Sequence, residues 1–177
     1  MAVEQFNLAT NQRAERKLLI TVAEWSETEG STTVQKREIL GRRTEDSSIE
    51  YNPDIQTSTD ILGINYTDVN KTQPQQDFDP YLILGGNKLG AFLNDKRKRN
   101  ALSELSAFKV YIITAFVGSA QAGYSAERHD DCTILYQSLG GDANVNMPIS
   151  VYFSNKVTSG TVDKLTDDFA FTPDVTV

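Results

Sequence analysis

Apolar and polar residues alternate along most of the chain with a period of two, the pattern of strands that bury one face. KLLITVAEW (residues 17–25) predicts a strand, and SETEGSTT (26–33) a turn built on Gly30. Residues 34–51 predict a long strand kinked at Gly41, closed by a turn at Asn52-Pro53-Asp54, where proline presets φ and the flanking Asn and Asp close local bonds. A return strand follows at 57–69, with Gly63 as a bulge or kink, and KTQPQQDFDP (71–80) predicts an irregular loop because of its prolines and glutamines. The period then changes once. Leu89, Phe92 and Leu93 fall at i, i+3 and i+4 behind Asn87, a good N-cap residue, which predicts a helix over 87–105. FKVYIITAFVG (108–118) is apolar at nearly every position, as expected of a strand buried on both faces. Further strands are predicted at 124–139 and 147–156, separated by Gly140-Gly141-Asp142.

Residues 1–16 and 166–177 hold no sustained period and predict two polar arms around one domain, 17–165. The expected fold class is mainly β: a β-sandwich or partly closed barrel with one flanking α-helix and extended arms.

One stretch resists that scheme. GRRTEDSSIEYNPDIQTSTDILG (41–63) is rich in strand formers yet has almost nothing to fill a core. Ile49 and Tyr51 share a face with Arg43, Glu45 and Ser47, while Thr44, Asp46, Ser48 and Glu50 leave the other face wholly polar. Such a face is either a solvated outer sheet or a surface reserved for something else.

Composition sharpens this. Twenty-four acidic against 17 basic residues give a net charge of −7, which forgoes the counterion release that drives binding to nucleic acid or anionic membrane. No run has the apolar length of a membrane span, and the first residues lack the apolar core of a signal peptide. The lone Cys132 forms no internal disulfide and suits a reducing compartment.

Catalytic and metal signatures are absent. AERHDDC carries the single histidine, His129, beside Asp130, Asp131 and Cys132. On a regular strand His129 and Asp131 point one way and Asp130 and Cys132 the other, so no tetrahedral ligand set forms. LGGNKLG (84–90) is glycine-rich before a helix but lacks the Gly-Lys-Ser/Thr ending of a phosphate loop. KRKR (96–99) is the one basic run; without aromatics around it, it reads as a solvated helix face, with salt bridges to a neighbouring subunit as the other use. With one histidine, no nucleophile, base and orienter assemble, so the expectation is a protein that is not an enzyme and holds no metal or cofactor.

EILGRRTEDSSIEYNPDIQTSTDILGINYTDVNKTQPQQDFDP, the helix, the buried strand, and MPISVYFSNKVTSGTVDK together resemble the major tail tube proteins of long-tailed phages, especially the non-contractile, Gram-positive-type tails. The similarity runs over about 17–173 and rests on strand order and these polar stretches. It implies a structural virion protein, assembled in the host cytoplasm, whose copies form hexameric rings stacked into a hollow tube. Tape-measure and tail terminator or tip proteins would be its partners, and DNA would pass through the lumen without specific binding. No membrane is involved. On that reading Asp46, Glu50 and Asp60 line an acidic lumen that repels the phosphate backbone, and Tyr51, Asn52, Pro53, Asp54, Ile55 and Gln56 form a tip that contacts the next ring. Two alternatives remain at this point: the inner tube of a contractile tail or injection particle, which shares the fold, and a monomeric β-sandwich binding module.

Overall fold

The computed structural model describes residues 5–174, so residues 1–4 and 175–177 of the two predicted arms lie outside it. The chain is mainly β, with eleven strands and one α-helix among the described residues. In order these are β1 (Leu19–Glu29), β2 (Thr32–Ile39), β3 (Ile49–Glu50), β4 (Asp54–Thr59), β5 (Asn65–Lys71), β6 (Gln75–Phe78), α1 (Lys88–Arg99), β7 (Phe108–Ser119), β8 (Gly123–Tyr136), β9 (Ile149–Tyr152), β10 (Val157–Val162) and β11 (Phe171–Pro173). The main sheet is antiparallel and ordered β2-β1-β7-β8-β9-β6-β3, with β10 also on β8 and β11 beyond β10. β4 and β5 pair only with each other.

β7 sits at the centre, as its apolar run predicts. Phe108, Val110 and Ile112 face the main core, which also holds Trp25, Phe78, Leu89, Phe92, Ile134 and Val151. Tyr111 and Ile113 face a second, smaller core with Val22, Ala126, Val162 and Phe169. Side chains alternate across a strand, so burying both faces of β7 requires a cover on each side. α1 covers the first, packing Phe92 against Trp25 and Phe108 at ring distances of 5.8 Å each. The C-terminal segment covers the second, with Phe169 edge-on to Tyr111 at 4.9 Å.

The sheet also curls on itself. Thr21 Oγ1 in β1 donates to Gln76 Oε1 in β6 at 2.8 Å, Gln76 Nε2 donates to Ser47 Oγ at 3.1 Å, and Arg16 donates to the Ser47 carbonyl at 2.6 Å. Thr21, Gln76 and Ser47 are buried and mutually satisfied, which is the condition for keeping them inside, while Arg16 reaches in from the exposed rim. The outcome is a sandwich-like, partly closed barrel flanked by one helix. No helix among the described residues is long and apolar enough to cross a membrane.

α1 begins at Asn87 as expected, but the cap comes from elsewhere. Asn87 Nδ2 donates to the Leu82 carbonyl, and the first helical amides, those of Lys88 and Leu89, donate to Glu38 Oε2 at 2.7 and 3.0 Å. Tyr81 Oη donates to the other oxygen of Glu38 at 2.8 Å. Burial, then the Glu38 charge, pushes the Tyr81 hydroxyl far above its usual range, so it stays a donor. A carboxylate at a helix N-terminus meets both orphan amides and the positive end of the dipole. At the other end Asn100 adopts φ 52°, a left-handed C-cap.

Several expectations change. The strand predicted at 34–51 stops at Ile39, and residues 40–48 form a loop that dips Ser47 into the interior. The predicted loop 71–80 contains β6, an inner strand whose Gln76 and Phe78 are buried. Pro74 stands just before it, where its missing N–H disturbs no ladder. The helix ends at Arg99, with a short 3-10 turn at Leu102–Leu105, and KRKR is not wholly solvated. Lys96 is buried, its ammonium 4.7 Å from the Phe92 ring centroid and paired with Glu104. The strand predicted at 147–156 resolves into β9, and β10 is a further strand. Both stretches read as arms also make pairings: Phe6 bridges Val117, and β11 pairs with β10.

Replacing Glu38 removes the acceptor for three donors at a buried position. Glu38→Ala is expected to lower unfolding free energy by about 3 kcal/mol, with Glu38→Gln losing clearly less, as read by urea titration with an unchanged slope.

Candidate assembly surfaces

Two surfaces stand out, and each follows from alternation along a strand. In β6, Gln76 and Phe78 point into the core, so Gln75 and Asp77 must point out. The register places Glu50 opposite Gln75, Gln75 opposite Tyr152 and Asp77 opposite Ser150, so these residues share one outward sheet face. Two shallow recesses on this face, about 210 and 430 Å³, share Gln75 and Asp77 and so run into one another. Asp46 and Glu50 border the first, Asp79 borders the second, and no lysine or arginine lines either. None of these four carboxylates is in an ion pair among the described residues. Their contacts are with neutral amides: Gln75 Nε2 donates to Asp77 at 3.0 Å and Asn146 Nδ2 to Asp79 at 3.1 Å. The face therefore groups four carboxylates without ion pairs, with Arg16 at one border on the Ser47 carbonyl and Lys71 in the recess beyond Gln75.

Of the three predicted lumen residues, the structure brings Asp46 and Glu50 together here and places Asp60 elsewhere. Asp60 Oδ1 accepts the amides of Leu62 and Ile64 at 2.8 and 2.9 Å, closing the turn between β4 and β5 around Gly63 at φ 79°. Its carboxylate holds a turn and does not join the sheet face. Asp77 and Asp79 were missed because their segment read as a loop; the signal was present as the alternation of Asp77 and Asp79 with Phe78.

The second surface is the β4–β5 hairpin. Ile55 pairs with Val69, Thr57 with Thr67 and Thr59 with Asn65, so one face carries mostly β-branched side chains. Every residue of both strands is exposed. At the turn Ile61 is 103% exposed, Leu62 79% and Ile64 59%. The stretch predicted as the tip, Tyr51 to Gln56, lies at the other end. Tyr51, Asn52 and Pro53 form the neck, where the Gln73 amide donates to the Tyr51 carbonyl at 2.9 Å, and Asp54, Ile55 and Gln56 belong to β4. The predicted turn at Asn52-Pro53-Asp54 does not form: the chain runs on from Glu50, opposite Gln75, to Asp54, opposite Lys71, so this segment is the base of the hairpin and not its reversal. The far end is built by Asp60 and Gly63.

The histidine segment differs from a regular strand. β8 bulges between the pairs Phe108–Cys132 and Val110–His129, with Asp131 at φ 58°. The extra residues put His129 and Cys132 both inside, contrary to strict alternation, and leave Asp131 outside paired with Lys156. The His129 ring lies edge-on to Phe153 at 5.0 Å, and Nδ1 stands 3.1 Å from the Ser154 carbonyl. Beside it, Glu127 is held below the usual carboxylate range, chiefly by the imidazole. Burial pushes the Cys132 thiol up to about 11, which makes it inert as a nucleophile near neutrality. No cluster of three or more His, Cys, Asp or Glu suited to a metal occurs among the described residues.

No family model and no curated protein matches the chain.

Asp60 supplies the turn with the side-chain acceptor for two of its amides, those of Leu62 and Ile64. Asp60→Ala is expected to speed amide hydrogen exchange at residues 61–65 and leave the global unfolding transition within about 0.5 kcal/mol, since an exposed hairpin opens locally.

Proposed function

We propose that this chain is a self-assembling structural subunit, the tube-forming protein of a long phage tail. Six copies form a ring, and rings stack into a hollow tube that conducts DNA. A tape-measure protein and terminator or tip proteins would limit and close the tube. The observation that supports this reading is the β4–β5 hairpin, with Ile55, Ile61, Leu62, Ile64, Tyr66 and Val69 exposed and no other strand among the described residues paired with it. A lone two-stranded hairpin is marginal in water, and apolar surface left wet forgoes about 25 cal/mol for each Å² that a partner would cover. Such an element is kept when another molecule completes it, and a second copy is the partner always present.

The acidic sheet face supports the lumen half of the proposal. A wall of Asp46, Glu50, Asp77 and Asp79 repels phosphates, whereas a basic wall contacting several of them would hold the strand in place. DNA then slides. The sheet ends of each copy, left open by a barrel that closes only partly, are natural sites for ring closure, which would abolish free strand edges.

Negative-stain electron microscopy of the concentrated, incubated protein is expected to show rings or tubes with a stain-filled centre. Persistent monodisperse single copies at all concentrations would overturn the reading. For the lumen, reversing Asp46, Glu50 and Asp77 to Lys is expected to leave rings intact and slow genome ejection from particles that carry the variant. Loss of rings with normal ejection from those that form would place these residues at a subunit contact instead.

A further inference from the structure

We propose that the apolar recess beside the start of α1 is the seat of the hairpin tip of a second copy of this chain; the inference rests on the self-assembly reading above and names the contact that reading leaves open. The recess measures about 400 Å³ and is bordered by Ile83, Leu84, Ala91, Leu139 and Val145, with Gly90 at its floor. Ile83, Leu139 and Val145 are 39%, 44% and 54% exposed, so large apolar side chains stand open around a concave surface. A Cβ at Gly90 would stand 3.3 Å from Ile83 Cδ1, so a larger residue there would crowd the floor. No charged side chain lines the recess; its polar members are Asn87 and Asn94.

The tip matches this in shape and charge. Ile61, Leu62 and Ile64 project around Gly63, and the one ionisable group, Asp60, is turned inward onto the Leu62 and Ile64 amides. A convex apolar tip whose one carboxylate is folded back onto its own amides therefore faces an uncharged concave apolar recess. The flanks are complementary as well. The helical stripe of Asn87, Ala91 and Asn94 continues to Lys98, about 10 Å beyond Ala91 at 1.5 Å per residue. Along β5, Asp68 lies about 13 Å behind Ile64 at 3.3 Å per residue. A carboxylate and an ammonium thus fall at similar distances from the apolar contact, and both are exposed.

Within one chain the tip is fully open, so it does not occupy its own recess. One tip and one recess at different places on the same subunit make a heterologous contact, which repeats from copy to copy rather than closing as a pair.

The test uses two exposed positions, Leu62→Cys and Ala91→Cys, with the native Cys132 fully buried and silent. The two variants are mixed at assembling concentration, oxidised mildly, run on a non-reducing gel, and imaged in parallel. The expected result is a disulfide-linked pair in the mixture that neither variant gives alone, because a disulfide requires the two Cβ atoms within about 4.5 Å. Rings or tubes without that link would overturn the recess as the seat while leaving self-assembly standing. A Leu62→Cys link to itself would mean tip-to-tip contact and also overturn it. Absence of both assembly and link would sink the inference together with the reading it rests on. A charge swap gives a second readout: Leu62→Asp abolishes association, and adding Ala91→Lys in the same chain restores it. Failure of restoration, with folding intact by circular dichroism, counts against the contact.

Discussion

The architecture depends on one interruption in one strand. β8 is long enough to serve two neighbourhoods, but a regular strand cannot present the correct face to both. Its first half pairs with β7 and β10, and its second half pairs with β9. The bulge at residues 130 and 131 lies between them. Asp131 adopts a left-handed backbone, which disfavours most residues by roughly 1–2 kcal/mol and Asp less. Surrounding bonds hold it: the Asp130 amide donates to the Lys156 carbonyl at 3.0 Å, Ser154 Oγ donates to the Asp130 carbonyl, and Lys156 pairs with Asp131. Bulges bend a strand and raise its twist. Here the bend is what lets β9 and β6 turn back until Gln76 meets Thr21.

That curl creates the two faces with opposite duties. On the inner side, the wings of the sheet and α1 enclose Trp25, Phe78, Phe108 and their neighbours. On the outer side, the C-terminal segment covers only the part over Tyr111 and Ile113, using Phe169 beneath the Arg37 guanidinium at 4.4 Å. Arg37 is itself fixed by Glu24, a buried carboxylate that also accepts from Tyr111 at 3.2 Å. Burial, then the Glu24 charge, pushes that tyrosine up to about 12, so it donates throughout the ordinary pH range. The rest of the outer face, over β9, β6 and β3, presents Glu50, Gln75, Asp77 and Tyr152 outward, with Ser150 tucked beneath Gln137.

The sequence disclosed elements best where burial was one-sided or complete. β1, β7 and the start of β8 were legible because β7 is apolar on both faces, between the two cores, and its neighbours pack beside it. α1 was legible from Leu89, Phe92 and Leu93, yet its cap was not, because Glu38 lies 50 positions away in β2 and no local pattern encodes that contact. β6 was illegible because its inward residue is Gln76, a polar side chain made acceptable inside only by Thr21 and Ser47. The hairpin was recognised as a hairpin but displaced along the chain. Asn52-Pro53-Asp54 is the stronger turn signal by composition, while the actual turn uses an Asp side chain reaching two and four residues ahead. Asp46 and Glu50 were found by asking which face lacked apolar neighbours. Asp77 and Asp79 could be grouped with them only once β6 was paired.

The same features bear on how a single copy would avoid non-specific association through its hairpin. Three devices oppose non-specific pairing. The strands are short and bear Gln56, Ser58 and Asp68 on the face opposite Ile55 and Val69, so no wide apolar sheet is offered. The apolar residues at the turn sit on a tight loop, which presents no backbone ladder for strand addition. The net charge of −7 repels copies that approach to within about the Debye length, roughly 10 Å at 0.1 M salt. At contact, burial of apolar surface offsets that repulsion where concave meets convex and charged groups stand away from the seam. On the proposed reading, a subunit built this way would resist random association yet keep one directional contact, the combination that ordered assembly requires.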